Sequence, residues 1–273
     1  MRLRSIVRIP PDGAGLDDAL ASPADALLLT VADARRPATD LRADARAAIG
    51  RIAEAGKAAL VVVNHPRSQM LRDDIEGVVQ PGLSGVLLTH AVEPQDVRDL
   101  AALLRELEMA RQIEPGTVAV FPVIDTARGL LRAAEIAAAA PRVAGVVLAS
   151  GAYARDIGAR EEESGPRLAY ARGAVVAAAR AVDGLPLIEA GPLQLREMAQ
   201  YGFAGAILPD AASVALANPA FTPAAHVLDR AAAAASAYDA ARSEGAWVAR
   251  IGEEVVDAST ARRARQLREG QEG

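Results

Sequence analysis

The sequence predicts an α/β chain folded as a (β/α)8 barrel of the TIM type with a C-terminal helical appendage. Three observations carry this. Eight short apolar runs alternate with longer Ala-rich stretches of helical period, as parallel strands covered by helices require. The chain has 273 residues, a length suited to eight strand–helix units. The first run leads into Pro10-Pro11-Asp12-Gly13, not into the Gly-rich phosphate loop that would favour an open doubly wound sheet.

The strands are expected at residues 5–9, 26–31, 59–64, 85–88, 118–124, 144–149, 185–189 and 205–208. Each is short and apolar on both faces. Between them, residues 40–55 carry Leu41, Ala45, Ile49 and Ile52 at helical spacing. Residues 94–112 carry Val97, Leu100, Leu104 and Leu107 in the same way. Helices are also expected at 126–140, 167–182 and 192–201. Gly56, Gly116, Gly184 and Gly202 fall between a helix and the next strand, where helix C-caps belong. Residues 1–221 thus form the predicted barrel. Residues 222–273 form a C-terminal extension: an Ala-rich helix at 222–245, a short strand at 247–251, a turn at Gly252-Glu253, and an Arg-rich helix at 259–268 preceded by Asp257.

Composition removes several function classes. Hydrophobic residues make up 51% of the chain but aromatics only 3%, so Ala, Val and Leu must fill the core. The net charge is −5 with acids and bases interspersed, which offers no basic patch for nucleic acid and no amphipathic basic face for a membrane. The absence of cysteine excludes thiol catalysis, disulfides and thiolate metal sites. Lys57 is the only lysine, and it precedes a strand, where it is poorly placed for Schiff-base chemistry at a barrel mouth. No apolar run is long enough to span a bilayer. Residues 1–10 lack the apolar stretch of a signal peptide, so the expected location is cytoplasmic.

Barrels of this kind place their active site at the C-terminal ends of the strands. The polar residues expected there are Asp33, Asn64, His90, Asp125, Ser150, Glu189 and Asp210. An acidic cup without thiols or paired histidines suits Mg2+ or Mn2+ better than zinc. Plainer roles stand beside this one. Asp125 or Thr126 can cap the following helix, Asp210 can cap the next, Glu189 can be solvated, and His90 can be a hydrogen-bonded loop residue.

Seven blocks, in order, resemble the citrate-lyase β-subunit-like, or HpcH/HpaI aldolase (acyl-CoA lyase), family. They are Arg4-Ser5-Ile6-Val7 with Pro10; Val61–Asn64; Val123-Ile124-Asp125-Thr126-Ala127; Tyr170-Ala171-Arg172; Gly202-Phe203-Ala204-Gly205; Asn218 with Phe221-Thr222-Pro223; and Gly245-Ala246 with Gly252 to Asp257. The resemblance implies cleavage or formation of a carbon–carbon bond beside a thioester. In that chemistry Mg2+ binds and polarises the oxoacid half while an acid/base group manages the enolate carbon. It assigns Asp125 as a metal ligand, Arg4 and Asn64 to oxygens of substrate or metal-bound water, and Asp257 as the acid/base supplied by a neighbouring subunit. Asp257 can equally cap the 259–268 helix. The resemblance also implies a homo-oligomer, a trimer or a multiple of it, whose subunits exchange the C-terminal segment.

The sequence departs from the family pattern at strand ends. Asp125 replaces a glutamate. The second metal ligand, an aspartate, aligns with Ala152, which leaves Asp156 as the nearby candidate. The substrate-binding arginine is Val62, with Arg67 the nearest arginine in sequence. Thr30-Val31-Ala32-Asp33 keeps only the last acid of an Asp-Leu-Glu-Asp run, Thr89-His90 replaces Pro-Lys, and Asp210-Ala211-Ala212-Ser213 replaces His-Pro-x-Gln. The first expectation is a divergent Mg2+-assisted lyase acting on an acyl-CoA or related oxoacid. The alternatives are a catalytically impaired barrel serving as a ligand-binding or partner subunit, and an aldolase without CoA specificity.

Overall fold

Unbroken β-branched and Leu runs bury both faces of a strand, and this chain uses them for a parallel barrel. The structure, a computed structural model, describes residues 1–31, 37–159 and 168–269. Strands β1 (Ser5–Arg8), β2 (Ala26–Thr30), β3 (Ala58–Val63), β4 (Leu83–Leu88), β5 (Ala119–Ile124), β6 (Gly145–Leu148), β7 (Leu185–Glu189) and β8 (Gly205–Leu208) close in sequence order, with β8 pairing β1 in parallel. All eight expected strands are present. The β3–β4 ladder shifts register at Ala59/Leu60. Closure requires a close approach at Gly205: a Cβ there would lie 1.8 Å from the Leu3 carbonyl oxygen, so only glycine lets β8 meet the chain entering β1.

Side chains of alternating direction divide the barrel core in two. Leu28, Leu60, Phe121, Val147, Leu187 and Ile207 fill the interior. A larger apolar layer joins the outer strand faces to the helices. Those helices are α1 (Leu16–Ala21), α2 (Ala38–Glu54), α3 (Leu71–Val78), α4 (Pro94–Ala110), α5 (Ala127–Leu131), α6 (Ala133–Ala137), α7 (Ser150–Asp156), α8 (Ala169–Ala181), α9 (Leu195–Tyr201) and α10 (Val214–Phe221). The expected helix at 126–140 is two short helices, because the chain leaves helical geometry at Arg132 (φ −116°, ψ 11°). Gly56, Gly116 and Gly202 adopt positive φ between helix and strand, as expected. Near Gly184 the left-handed residue is Asp183 (φ 59°) instead.

Residues Leu3–Phe221 form one compact unit. Thr222–Gly273 with Met1–Arg2 form a second. In the second unit, α11 (Ala225–Ser243), the antiparallel pair β9 (Ala249–Ile251) and β10 (Glu254–Val256), and α12 (Ala258–Glu269) surround a small core of Ala231, Ala235, Tyr238, Val256, Ala261 and Ala264. Among the described residues, no helix is long and apolar enough to cross a membrane.

Candidate functional site

Thr126 ends β5 and begins α5 by accepting a hydrogen bond from the Gly129 N–H at 3.1 Å, as an N-cap should. Asp156 accepts from the Ala127 N–H at 2.7 Å, satisfying another donor of the same helix start. Asp125 is therefore not needed as a cap. Its side chain is only 5% exposed and belongs to the barrel mouth. Oδ2 accepts from the His90 backbone N–H at 3.1 Å and stands 2.9 Å from His90 Nδ1. Oδ1 is buried and has no hydrogen-bond partner among the described residues. A buried carboxylate oxygen without a donor is costly, which marks the position for a ligand or ion.

His90 brings its backbone and its ring to the same oxygen through a left-handed conformation (φ 55°), uncommon for a residue other than glycine. The loop that carries it is seated against α5. A Cβ on Gly129 would lie 2.5 Å from the Ala91 carbonyl oxygen, so glycine permits this contact.

The mouth is a cavity of about 600 Å³. Its charged lining residues are Arg8, Asp125, Arg155 and Glu189. Apolar walls come from Leu28, Leu29, Val62, Leu87, Val123, Val147 and Ile207. Arg8, the last residue of β1, pairs with Glu189, the last residue of β7. Glu189 is thus engaged by an arginine rather than simply solvated.

The structure disperses several of the expected site residues. Arg4 precedes β1 and lies at the N-terminal end of the barrel, opposite the mouth. There its Nε and Nη2 donate to the Asp25 carboxylate at 3.0 and 2.9 Å. That placement corrects its expected role at substrate oxygens, and the β1 arginine at the mouth is Arg8. Asn64 follows β3, but its Nδ2 donates to the buried Asp74 carboxylate at 2.7 Å, and it stands outside the cavity lining. Arg67 pairs with Glu93 on the neighbouring loop and does not line the cavity beside Val62. Asp156 is also outside the lining, its carboxylate engaged at α5. Among the described residues, no group of three or more His, Asp or Glu side chains is arranged to hold a metal. Asp210 caps the turn at 211–213 by accepting from the Ser213 N–H and hydroxyl, each at 2.9 Å. Asp33 lies outside the described residues.

In the C-terminal unit, Asp257 accepts from the Thr260 N–H at 2.8 Å and the Thr260 hydroxyl at 2.9 Å. These bonds to Thr260 hold its carboxyl below the usual range. Asp257 is thus the N-cap of α12 and an anion at neutral pH.

Sequence reasoning missed Arg8 and Arg155. Arg8 is the last residue but one of the first predicted strand, where only the alternation of side-chain direction decides which residue meets the mouth. Arg155 is on α7, a seven-residue helix too short to show a periodic signal.

Comparisons with known proteins agree with this fold. The profile of the HpcH/HpaI aldolase/citrate lyase family matches residues 12–204. The chain is 29% identical to citrate lyase subunit beta of Escherichia coli K12, over 96% of this chain and 91% of that one. It is 30% identical to a citrate lyase subunit beta-like protein of Deinococcus radiodurans, over 97% and 96%. It is 27% identical to (3S)-malyl-CoA thioesterase of Cereibacter sphaeroides, over 93% and 89%. Among solved structures, a citrate lyase from Burkholderia xenovorans has a similar fold (TM-score 0.73, 14% identity, 98% of this chain and 91% of that one). So does the protein CitE of Mycobacterium tuberculosis in complex with magnesium, acetoacetate and coenzyme A (TM-score 0.60, 20% identity, 99% and 100%).

Proposed function

The chain belongs to the HpcH/HpaI aldolase/citrate lyase family, and on that premise we propose that it is a divergent Mg2+-assisted carbon–carbon lyase acting on a 3-hydroxyacyl-CoA thioester or a related oxoacid. The observation that carries this reading is Asp125, a buried mouth carboxylate held on Oδ2 by His90 and lacking a partner on Oδ1 among the described residues. The orphaned oxygen fits a hard cation. Mg2+ keeps several waters and is commonly held by one or two carboxylates together with substrate oxygens. Asp125 would be a protein carboxylate that holds it; Ala152 offers no donor and Asp156 is engaged at α5. When bound, the ion would polarise the oxoacid oxygens as a Lewis acid. The malyl-CoA thioesterase relative and the tuberculosis protein with magnesium, acetoacetate and coenzyme A support the metal and the substrate class.

The chain's own residues account for the rest. His90 fixes the carboxylate of Asp125 so that one oxygen remains for a ligand. The apolar walls exclude water from the reacting carbon, which strengthens electrostatic interactions inside the cavity. Asp257 is the acid/base, supplied by the C-terminal unit of a neighbouring subunit in a homo-oligomer.

A second reading is favoured by one observation: Val62 and Ala152 both line the mouth where the family pattern has an arginine and a metal ligand. On that reading the barrel binds a ligand or a partner subunit without turnover. Calorimetric titration of metal-stripped protein with Mg2+, with oxaloacetate or pyruvate present, separates the two. Saturable binding that Asp125→Ala abolishes, followed by cleavage of a malyl-, citramalyl- or citryl-type thioester, is the lyase result. No binding by the native protein leaves the non-catalytic reading.

A further inference from the structure

We propose that Arg8 binds the carboxylate of the substrate's oxoacid half, entering the mouth from β1, across the barrel from Asp125. The inference rests on the oxoacid reading above and deepens it by naming the residue that holds the substrate's acid group.

Side chains alternate in direction along a strand, and the two layers of the core show which direction is inward. On β1, Ile6 belongs to the barrel interior and Val7 to the outer layer, so Arg8 shares the inward direction of Ile6. On β7, Leu187 is interior and Ile188 outer, which turns Glu189 inward. On β5, Val123 is interior and Ile124 outer, which does the same for Asp125. By the same alternation Thr30, Val62 and Thr89 meet the mouth from β2, β3 and β4. Among the described residues, Arg8 is the one cation that a strand brings to this ring. Arg155 also lines the cavity, but it comes from helix α7 and makes an interaction of its own. The two threonines are neutral, and the Thr89 hydroxyl donates to the Val63 carbonyl at 3.2 Å.

Glu189 engages Arg8 without exhausting it. Nη2 donates to Glu189 Oε1, and Glu189 is the one partner of the Arg8 side chain among the described residues. A guanidinium carries five N–H donors in a fixed plane, so most remain, and the edge held by Glu189 sets the plane of the rest. The Arg8 side chain is 50% exposed, which leaves those donors open to a ligand.

Charge decides what the ligand is. In the cavity lining, Arg8 and Arg155 balance Asp125 and Glu189. Mg2+ on Asp125 makes the mouth cationic, and an oxoacid anion is then attracted to it. In the closed barrel β1 and β5 stand opposite each other. Eight strands about 4.8 Å apart and tilted about 36° put opposite strand ends about 15 Å apart. A long side chain from β1 and a short one after β5 narrow that span to one a small oxoacid can bridge. Its keto oxygen faces Asp125, and its carboxylate accepts charge-assisted hydrogen bonds from Arg8. The arginine that the family pattern places at Val62 on β3 is thus supplied from β1.

The test is calorimetric titration with pyruvate, Mg2+ being present, of the native protein, Arg8→Gln, Arg8→Lys and Arg155→Gln. Circular dichroism melts verify the folding of each variant. Arg8→Gln is expected to bind pyruvate at least about tenfold more weakly, the usual loss for a hydrogen bond to a charged group. Arg8→Lys keeps the charge but not the planar fork, and is expected to recover part of that loss. Native affinity in a folded Arg8→Gln, or undiminished affinity in Arg8→Lys when only that variant folds, overturns the assignment of Arg8 and leaves the lyase reading standing. A loss in Arg155→Gln larger than that in Arg8→Gln also overturns it, by moving the carboxylate to α7. No binding of either pyruvate or oxaloacetate by the native protein overturns the oxoacid reading itself, and the role of Arg8 with it.

Discussion

His90 Nδ1 stands 2.9 Å from Asp125 Oδ2, and the His90 backbone N–H donates to the same oxygen at 3.1 Å. Thirty-five residues apart in sequence, the two are joined because the loop after β4 turns through a left-handed residue beside the end of β5. Hydrogen bonds of this kind orient a metal-binding carboxylate, and their loss typically lowers metal affinity or activity about 10–100-fold. His90→Gly keeps the positive φ and the backbone donor while removing the ring. Its Mg2+ affinity, measured by calorimetry with an oxoacid present, is expected to fall within that range while the melting temperature changes little. Unchanged affinity would show that the ring does not serve Asp125.

Gly129 presses α5 onto the loop that carries His90. A methyl group there meets the Ala91 carbonyl oxygen at 2.5 Å, so backbone must move. Gly129→Ala is expected to cost about 1–3 kcal/mol of stability, the usual range for overpacking, read by denaturant unfolding. Because the displaced loop holds Asp125 Oδ2, oxoacid-dependent Mg2+ binding should weaken as well. A variant as stable as the native protein would mean that the loop yields freely.

The eight strands were legible because each is buried on both faces and reads as a continuous apolar run. The long amphipathic helices α2, α4 and α8 were legible through their stripes of Leu, Ile, Val and Ala. The short helices α1, α3 and α7 were not, since six to eight residues give only about two turns of pattern. The site was only partly visible. Strand ends pointed to Asp125 and Glu189, which line the mouth, and to His90, which contacts Asp125 from outside the lining. Arg4 precedes and Arg8 ends a strand of four residues, and family likeness pointed to Arg4, at the end away from the mouth. The expected second metal ligand, Asp156, shows the same weakness: nearness in sequence to the lost ligand did not place it in the cavity, because the start of α5 needed an acceptor.

Glu108 makes a separate prediction about acid stability. It is fully buried on α4, paired with Arg142 at 2.8 Å, and accepts from the backbone N–H groups of Gly116 and Val118, each at 2.9 Å. Burial alone would raise its pKa, but the Arg142 bond and the two backbone donors outweigh it and hold the carboxyl below the usual value. A depressed folded-state pKa contributes stability above the unfolded value of about 4.3. That contribution disappears as pH falls through the folded-state pKa. Glu108→Gln should therefore cost about 3–5 kcal/mol at pH 7, the usual loss for breaking a buried pair. The gap between native and variant should narrow below about pH 4. A gap that is constant from pH 7 to pH 3 would count against the ionic account.

The C-terminal unit has its own small core, centred on Tyr238 and Val256. If it docks on a neighbouring subunit, deletion of residues 246–273 should lower the number of subunits per particle measured by light scattering. An unchanged subunit number would place the subunit contact elsewhere.

Asp257 allows its two roles to be separated. As the N-cap of α12 it accepts two hydrogen bonds from Thr260, and those bonds keep it ionised. Asparagine caps helices about as well as aspartate, so Asp257→Asn preserves the cap while removing the charge and the capacity to take up a proton. Alanine removes both, and the lost cap costs about 1 kcal/mol. If Asp257 is the acid/base, Asp257→Asn should melt with the native protein yet lose about 10²–10⁴-fold in thioester cleavage, the usual contribution of a positioned proton-transfer group. If the residue is only a cap, Asp257→Asn should turn over at the native rate, and only Asp257→Ala should differ, through stability. Measuring both variants for rate and melting temperature distinguishes the cases, because the two roles move different observables.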